Sequence, residues 1–86
     1  MTKHCRIYMD YFGYGEQDVI LCEACRRVAV DIHHINGRSD DSIKNLMALC
    51  RKCHNRAHSS KDYVSKEEFQ TIHNYFLQGT RKAFLK

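Results

Sequence analysis

The spacing of apolar residues predicts a short helix followed by two short strands. Residues 3–12 place Ile7, Tyr8 and Tyr11 on one helical face, and two glycines follow at the helix end. Residues 28–35 are rich in Val and Ile and alternate as a strand does, and residues 46–49 predict a second strand. The polar loop between the strands begins at Asn36-Gly37, which is typical of a turn.

Two further helices are predicted after the second strand. Residues 52–60 would place His54 and His58 one turn apart on one face. Ser65 and Glu68 have the spacing of a capping box before a helix over residues 66–78. The apolar stripe of this last helix is Phe69, Ile72, Tyr75 and Phe76, and Gly79 ends it. We assign the stripe to core packing.

Length and composition indicate a small protein that needs support beyond its core. We expect the 86 residues to form a single domain over residues 1–86, and a chain this short commonly relies on a metal, a disulfide or a partner. The polar start "MTKHCR" predicts no signal peptide, and no apolar run is long enough to span a membrane. We therefore expect a cytoplasmic protein, in which closely spaced cysteines bind metal.

The charge distribution favours a polyanionic partner. The net charge is +4 with neutral histidines, and residues 22–61 carry eight Lys or Arg against four acids, so the whole excess lies there. Four thiolates around one zinc ion carry a net charge of −2, which would cancel half of this excess. Basic bias alone is a weak signal, because a solvated surface gives it too.

Two Cys-x2-Cys pairs predict a structural zinc site. The ligands would be Cys22, Cys25, Cys50 and Cys53, with twenty-four residues between the pairs. Tetrahedral zinc takes four thiolates, and each tight turn supplies two of them. Such a site contributes about 10–16 kcal/mol of apparent binding energy, which becomes folding energy when no site exists in the unfolded chain. Cys5 stands alone, as a small buried thiol or a chance surface one.

The residues around the second cysteine pair resemble the HNH endonuclease family. The order "DIHHI", then Asn45 in "KNL", then "LCRKCHNRAH" is similar to the family's motif in its four-cysteine zinc subset. The resemblance covers a core motif over residues 22–58. It does not extend to the flanks, residues 1–18 and 62–86, which contain the flanking helical segments 3–12 and 66–78. It implies an α+β fold with a zinc-stapled ββα-metal core, a two-stranded hairpin plus a helix, between N- and C-terminal helices.

The resemblance also implies roles for particular residues. His34 would be the general base, and Asn45 would tie the loop between the strands and help to hold that base. His33, His54 and His58 would hold a catalytic divalent cation, with Mg²⁺ expected first and Mn²⁺, Zn²⁺ or Ni²⁺ as alternatives, because His replaces the more common Asp at the first ligand position.

Adjacent strand residues point to opposite faces, which creates a conflict between the roles of His33 and His34. Both reach one cleft if the strand twists or bulges there. If the strand is regular, one of them faces away, and Asp31 shares a face with His33 and could orient it. His4 and His73 are expected to be ordinary hydrogen-bonded histidines. The clustered aromatics Tyr8, Tyr11, Phe12 and Tyr14 are expected in a small core rather than stacked on bases.

Taken together, the motifs predict a metal-dependent endonuclease that nicks or cuts DNA, expected to be duplex, with Arg38, Arg51, Lys52 and Arg56 as phosphate contacts. It would act alone, as a homodimer or within a larger DNA-processing complex. Two alternatives remain. A non-catalytic zinc module that binds nucleic acid or protein would need the cysteines and basic residues only, and a toxin-type nuclease would also cut RNA.

Overall fold

The computed structural model describes residues 2–86 and builds the chain from three α-helices, two β-strands and one short 3₁₀ helix. In chain order these are α1 (Lys3–Phe12), β1 (Asp31–His34), the 3₁₀ helix (Ile43–Asn45), β2 (Leu46–Leu49), α2 (Arg51–Asn55) and α3 (Lys66–Leu77). The predicted α+β fold is thereby confirmed. Among these residues no helix has the length and apolar character that crossing a membrane requires.

Helix α1 has the predicted bounds, and its ends follow from two local features. The Thr2 side chain accepts a hydrogen bond from the backbone N–H of Cys5, which satisfies one free donor of the first turn. Gly13 ends the helix at φ 75°, a left-handed conformation that glycine adopts without strain. Tyr8 is fully buried, whereas Tyr11, predicted on the same face, is 58% exposed.

The two strands form an antiparallel hairpin whose faces carry two separate apolar clusters. Ile32 pairs with Ala48, and His34 with Leu46, so these residues share the face that packs on α1 and Tyr8. The partner of His33 is Met47, which points to the other face, where Leu49, the cysteines and α3 pack. β2 is fully buried on both faces. β1 is shorter than the predicted 28–35. Before Asp31 the chain makes an isolated bridge between Leu21 and Val28, and the N–H of Val30 bonds to the carbonyl of Leu49.

Helix α3 begins as its capping box predicts but buries a different set of residues. The Ser65 hydroxyl accepts from the backbone N–H of Glu68 at 3.1 Å. Phe69, Ile72 and Phe76 are buried. Tyr75, which we expected in the core, is 48% exposed and stacks on Phe84, and His73 is fully buried instead.

A buried hydrogen-bonded network explains the inward position of His73. Glu23, between the first two cysteines, receives the Tyr8 hydroxyl at 2.6 Å and the backbone N–H of Ala48 at 3.1 Å. Its other oxygen lies 2.6 Å from Nδ1 of His73, whose Nε2 donates to the carbonyl of Ile43. Burial and the neighbouring Glu23 carboxylate raise the pKa of Tyr8, so the phenol keeps its proton and donates. The network thus joins α1, the first cysteine turn, β2 and α3.

Candidate functional site

The four predicted zinc ligands meet at one end of the sheet. Their sulfur atoms all lie within 4.8 Å of one another, and Sγ of Cys25 is 3.5 Å from Sγ of Cys50. The first pair is brought together by a turn in which the N–H of Arg26 bonds to the carbonyl of Cys22. In the second pair Cys50 caps α2, and its sulfur accepts from the N–H of Cys53.

The chemistry of this donor set fits zinc. Four sulfurs at about 2.3 Å from a tetrahedral ion stand about 3.8 Å from one another, so the observed cluster needs only a small adjustment. A hydrogen bond from the Cys53 thiol, together with backbone amides, lowers the pKa of Cys22 to about 4, and the same hydrogen bond raises the pKa of Cys53. The cluster therefore supports a structural zinc site held by Cys22, Cys25, Cys50 and Cys53.

Beside the zinc site, an open cleft of about 580 Å³ runs along β1. It brings together all four histidines that the motif singles out, together with two acids, a basic residue and a histidine from α1. Its lining includes His33, His34, His54, His58, Asp31, Asp41, Arg38 and His4. The cleft is therefore rich in imidazole, with groups of both charges.

His33 and His34 reach this cleft from opposite faces of a regular strand. All four residue pairs of the hairpin are in register, without a bulge. His33 contacts His54 on the α2 side, with ring centroids 4.9 Å apart, and His34 contacts His4 on the α1 side. Among residues 2–86, β1 pairs only with β2, so its outer edge is open. The cleft lies along this edge and receives side chains from both faces, so the expected twist or bulge is not needed.

His33 is held as a neutral imidazole. It is half-buried and packs near Phe69, with ring centroids 5.9 Å apart. Burial lowers the pKa of His33 to about 4, and repulsion from His54, His58 and His34 adds to the effect against a smaller opposing pull from Asp31. A neutral ring keeps a lone pair free for a cation at ordinary pH.

His34 is oriented by two contacts that sequence reasoning missed. Its Nε2 lies 2.8 Å from Oδ1 of Asp41 in the loop between the strands. The ring of His4 packs on it with centroids 4.5 Å apart and planes tilted by 53°. The position of His4, four residues before the buried Tyr8, was the available sequence signal, because such residues share a helical face. The sequence carries no comparable signal for Asp41.

Asp31 orients His54, on helix α2, rather than His33 on its own strand. Nδ1 of His54 lies 2.8 Å from Oδ2 of Asp31. Asp31 does share a face with His33, as expected for a regular strand, but its carboxylate contacts His54 and the guanidinium of Arg51, at 3.4 Å. Because a carboxylate accepts the Nδ1 proton, Nε2 of His54 is left with its lone pair.

His58 lies beyond the end of α2, which is shorter than the predicted 52–60. The helix ends at Asn55, and tighter turns follow in which Ala57 bonds back to His54 and His58 to Asn55. The predicted helical i, i+4 geometry of His54 and His58 is therefore wrong, although both line the cleft. In residues 2–86 the cysteines form the one group whose ligand atoms all lie within 4.8 Å, so the three histidines are less closely gathered.

Asn45 organises the loop between the strands from a buried position. Its side chain donates to the carbonyls of Gly37 and Asp40 and accepts from the N–H of Asn36, all at 2.7–2.9 Å. It is 3% exposed. These contacts hold the loop that presents Asp41 to His34, so any effect of Asn45 on the cleft is indirect.

The four basic residues expected to contact phosphate differ in their surroundings. Arg38 lines the cleft, and Lys52 is exposed on α2. Arg51 is 66% exposed at its side chain and lies near Asp31. The Arg56 side chain is only 11% exposed, because it donates to the carbonyl of Lys86 and pairs with Asp62. Arg56 is thus engaged in holding the C-terminal segment.

Part of the chain is similar to a curated phage protein. A curated relative, the Gene 4 protein of Mycobacterium phage D29, is 33% identical in a match that covers 58% of this chain and 55% of that protein. The chain thus spans about half the length of the relative, whose name states no activity. No solved structure matches the chain.

A sequence profile of the HNH endonuclease family matches residues 22–60, which hold both cysteine pairs and the four motif histidines. The resemblance predicted from the motifs is confirmed: residues 22–60 match the HNH endonuclease profile, and this segment contains the four-cysteine cluster.

Proposed function

We propose that this protein is a metal-dependent endonuclease that hydrolyses phosphodiester bonds of duplex DNA. The observation that carries the proposal is the common cleft: four histidines from β1, α2 and the turn after α2 line it next to the zinc cluster. A zinc module that binds nucleic acid or protein without cleaving it would not need these four histidines to line one cleft. Both His34 and His54 have a carboxylate partner at 2.8 Å, an arrangement that suits oriented imidazoles.

His34 is the general base in this proposal. Because the Asp41 carboxylate accepts the hydrogen on Nε2, the lone pair of His34 lies on Nδ1. Nδ1 takes the proton of the attacking water, and the nearby carboxylate stabilises the imidazolium that forms. General base catalysis of this kind contributes about 10²- to 10⁴-fold to a rate.

His33, His54 and His58 would hold the catalytic cation. His33 stays neutral in its half-buried site, and His54 offers Nε2 because Nδ1 is bound to Asp31. A divalent cation bound there supplies a Lewis acid beside the scissile phosphate and stabilises charge on the leaving oxygen. Mg²⁺ is the first expectation, and the imidazole ligands also suit Mn²⁺, Zn²⁺ and Ni²⁺.

Arg38 is the basic residue best placed to meet a phosphate, since it lines the cleft itself. Arg51 and Lys52 extend the positive surface along α2. A single small module buries about 600–1,000 Å² on DNA, which predicts weak sequence preference without a partner. One active site per chain predicts nicking, and a homodimer or a larger complex would be needed for double-strand breaks.

The test is cleavage of supercoiled plasmid with each of Mg²⁺, Mn²⁺, Ni²⁺ and Zn²⁺, beside His34→Ala. We expect nicked product from the wild type and at least about 100-fold slower nicking by the variant. The variant should keep its zinc and bind DNA in a gel shift like the wild type. Equal nicking by both proteins would trace the activity to a contaminant. Binding without cleavage under every ion would favour the zinc module, and degradation of added RNA would favour the toxin-type reading.

A further inference from the structure

We propose that His4, in helix α1, is a positioning residue that fixes the ring of His34 for catalysis. His4 lies outside residues 22–60, the segment that the family profile matches. Its ring is nevertheless in contact with that of His34, and it forms part of the wall of the same cleft. The inference rests on the proposed function of His34 as the base.

The contact of His4 with His34 restricts a rotation of the His34 ring that the hydrogen bond to Asp41 leaves free. The hydrogen bond to Asp41 holds one edge of the imidazole but leaves the ring free to rotate about the axis of that bond. A ring packed against it at 4.5 Å removes this rotation. His34 is 13% exposed at its side chain, so it is enclosed between these two neighbours. A general base must be held close to its attacking geometry, and small displacements of such groups reduce rates steeply.

The position of His4 is itself determined by well-packed structure. His4 lies one helical turn before Tyr8, which is fully buried against Leu46 and Ala48. Tyr8 also donates to Glu23 at 2.6 Å, within the first cysteine turn. Because Leu46 pairs with His34 across the sheet, the face of α1 that packs on Leu46 also brings His4 to His34. Helix α1 therefore supplies one wall of the candidate active site.

Two substitutions distinguish the effect of the aromatic ring of His4 from the effect of its nitrogen atoms. His4→Phe keeps an aromatic ring and removes both nitrogens, whereas His4→Gln keeps hydrogen-bonding groups and removes the ring. If the ring contact matters, His4→Phe nicks plasmid within about threefold of the wild type. His4→Gln loses about 10- to 100-fold in kcat with KM within twofold, because the base is displaced and DNA binding is not. In a His34→Ala background, His4→Gln has no further effect.

A measurement without catalysis tests the same contact. Nitrogen NMR of the His34 imidazole should show one tautomer, with the proton on Nε2, in the wild type and in His4→Phe. In His4→Gln the bond to Asp41 should preserve this tautomer, while relaxation of the His34 ring signals should show a more mobile ring. Failure of the wild type to cleave DNA would refute the proposed function, and the ring mobility of His34 would still test the contact.

Three results would overturn the inference while leaving the nuclease proposal in place. His4→Gln could nick at the wild-type rate with unchanged His34 signals. His4→Phe could lose as much activity as His4→Gln, which would assign the effect to a nitrogen of His4. A change in KM alone would indicate a DNA contact rather than positioning of the base.

Discussion

Oδ2 of Asp31 lies 2.8 Å from Nδ1 of His54, which joins the first residue of β1 to helix α2 across the cleft. This contact fixes which nitrogen of His54 is free for a cation. We predict that Asp31→Asn raises the concentration of Mg²⁺ or Mn²⁺ that half-saturates nicking by about 10- to 100-fold, as loss of such orienting carboxylates does in metal sites.

The measurement is nicking rate against metal concentration, with isothermal titration of the metal as an independent check. Asp10→Asn is the matched control, because it removes one carboxylate from an exposed position of α1. It should leave the metal dependence unchanged. An Asp31→Asn variant with wild-type metal dependence would show that the carboxylate does not act through the cation site.

Substitution of Asp41 should lower the rate rather than change the metal dependence, because Asp41 contacts the proposed base and not a proposed metal ligand. In Asp41→Asn the amide can offer either a donor or an acceptor to Nε2, so His34 no longer has one preferred tautomer. We expect kcat to fall by about 10²-fold with little change in metal dependence. Rates at saturating metal, measured beside Asp40→Asn in the same loop, check this. A shift in metal dependence instead would make Asp41 a cation ligand.

The cysteine cluster predicts one tightly bound zinc per chain. Cys53→Ser should lose the ion and the folded state, because structural zinc contributes folding energy and this cysteine is fully buried in the cluster. Elemental analysis and thermal unfolding measure the two effects. Cys5→Ser is the control, since Cys5 lies outside the cluster in α1. A Cys53→Ser protein that keeps one zinc and its unfolding temperature would contradict the assignment.

The buried contact between Glu23 and His73 predicts a large loss of stability when one partner is changed. Both side chains are fully shielded from solvent and lie 2.6 Å apart. Glu23→Ala should lower the free energy of unfolding by about 3–5 kcal/mol, because it leaves the buried Tyr8 hydroxyl and His73 imidazole without their partner. Urea unfolding measures this, with zinc content checked in parallel. Glu16→Ala, at an exposed site, should change stability by less than about 0.5 kcal/mol.

The lowered pKa of His33 predicts a pH dependence of stability. In the unfolded chain this histidine takes up a proton near pH 6.5, whereas in the folded protein burial delays protonation to about pH 4. The unfolded state therefore binds more protons between these values, and the folded state loses stability as pH falls from 6.5 towards 4. The ring is only half-buried, so we discount the effect for solvent screening to about 1–2 kcal/mol.

Urea unfolding of the wild type and His33→Gln at pH 5, 6 and 7, without added catalytic cation, isolates this contribution. Protonation of the cysteines affects both proteins alike and cancels in the difference. Relative to His33→Gln, the wild type should lose stability as the pH is lowered. A difference that stays constant over this range would show that His33 takes up its proton equally in both states.

Local patterns in the chain were enough to predict most of the elements and the zinc ligands. The bounds of α1 and β2 and the capping box at Ser65 follow from short-range rules of spacing and capping. The antiparallel hairpin was implied by the family resemblance. The zinc ligands follow because a Cys-x2-Cys turn brings two sulfurs together whatever surrounds it. The family resemblance over residues 22–60 depends on the same short motifs.

Long-range packing determined the rest. The place of His73 in the core depends on Glu23, fifty positions away. Local periodicity instead predicted Tyr75 in the core, where it is 48% exposed. The early end of α2 at Asn55 likewise lies outside what the pattern over residues 52–60 predicts. The open edge of β1, which lets His33 and His34 share a cleft, exists only because the sheet has two strands.

The contacts that orient the candidate active site are the features that the sequence predicted least well. His4 reaches His34 because α1 packs through Tyr8 on the strand that pairs with β1, and Asp41 reaches it because Asn45 shapes the intervening loop. Side-chain orientation across thirty positions of chain depends on how helices and sheet pack. Spacing along the chain predicts which residue types are present, and packing determines which atoms meet.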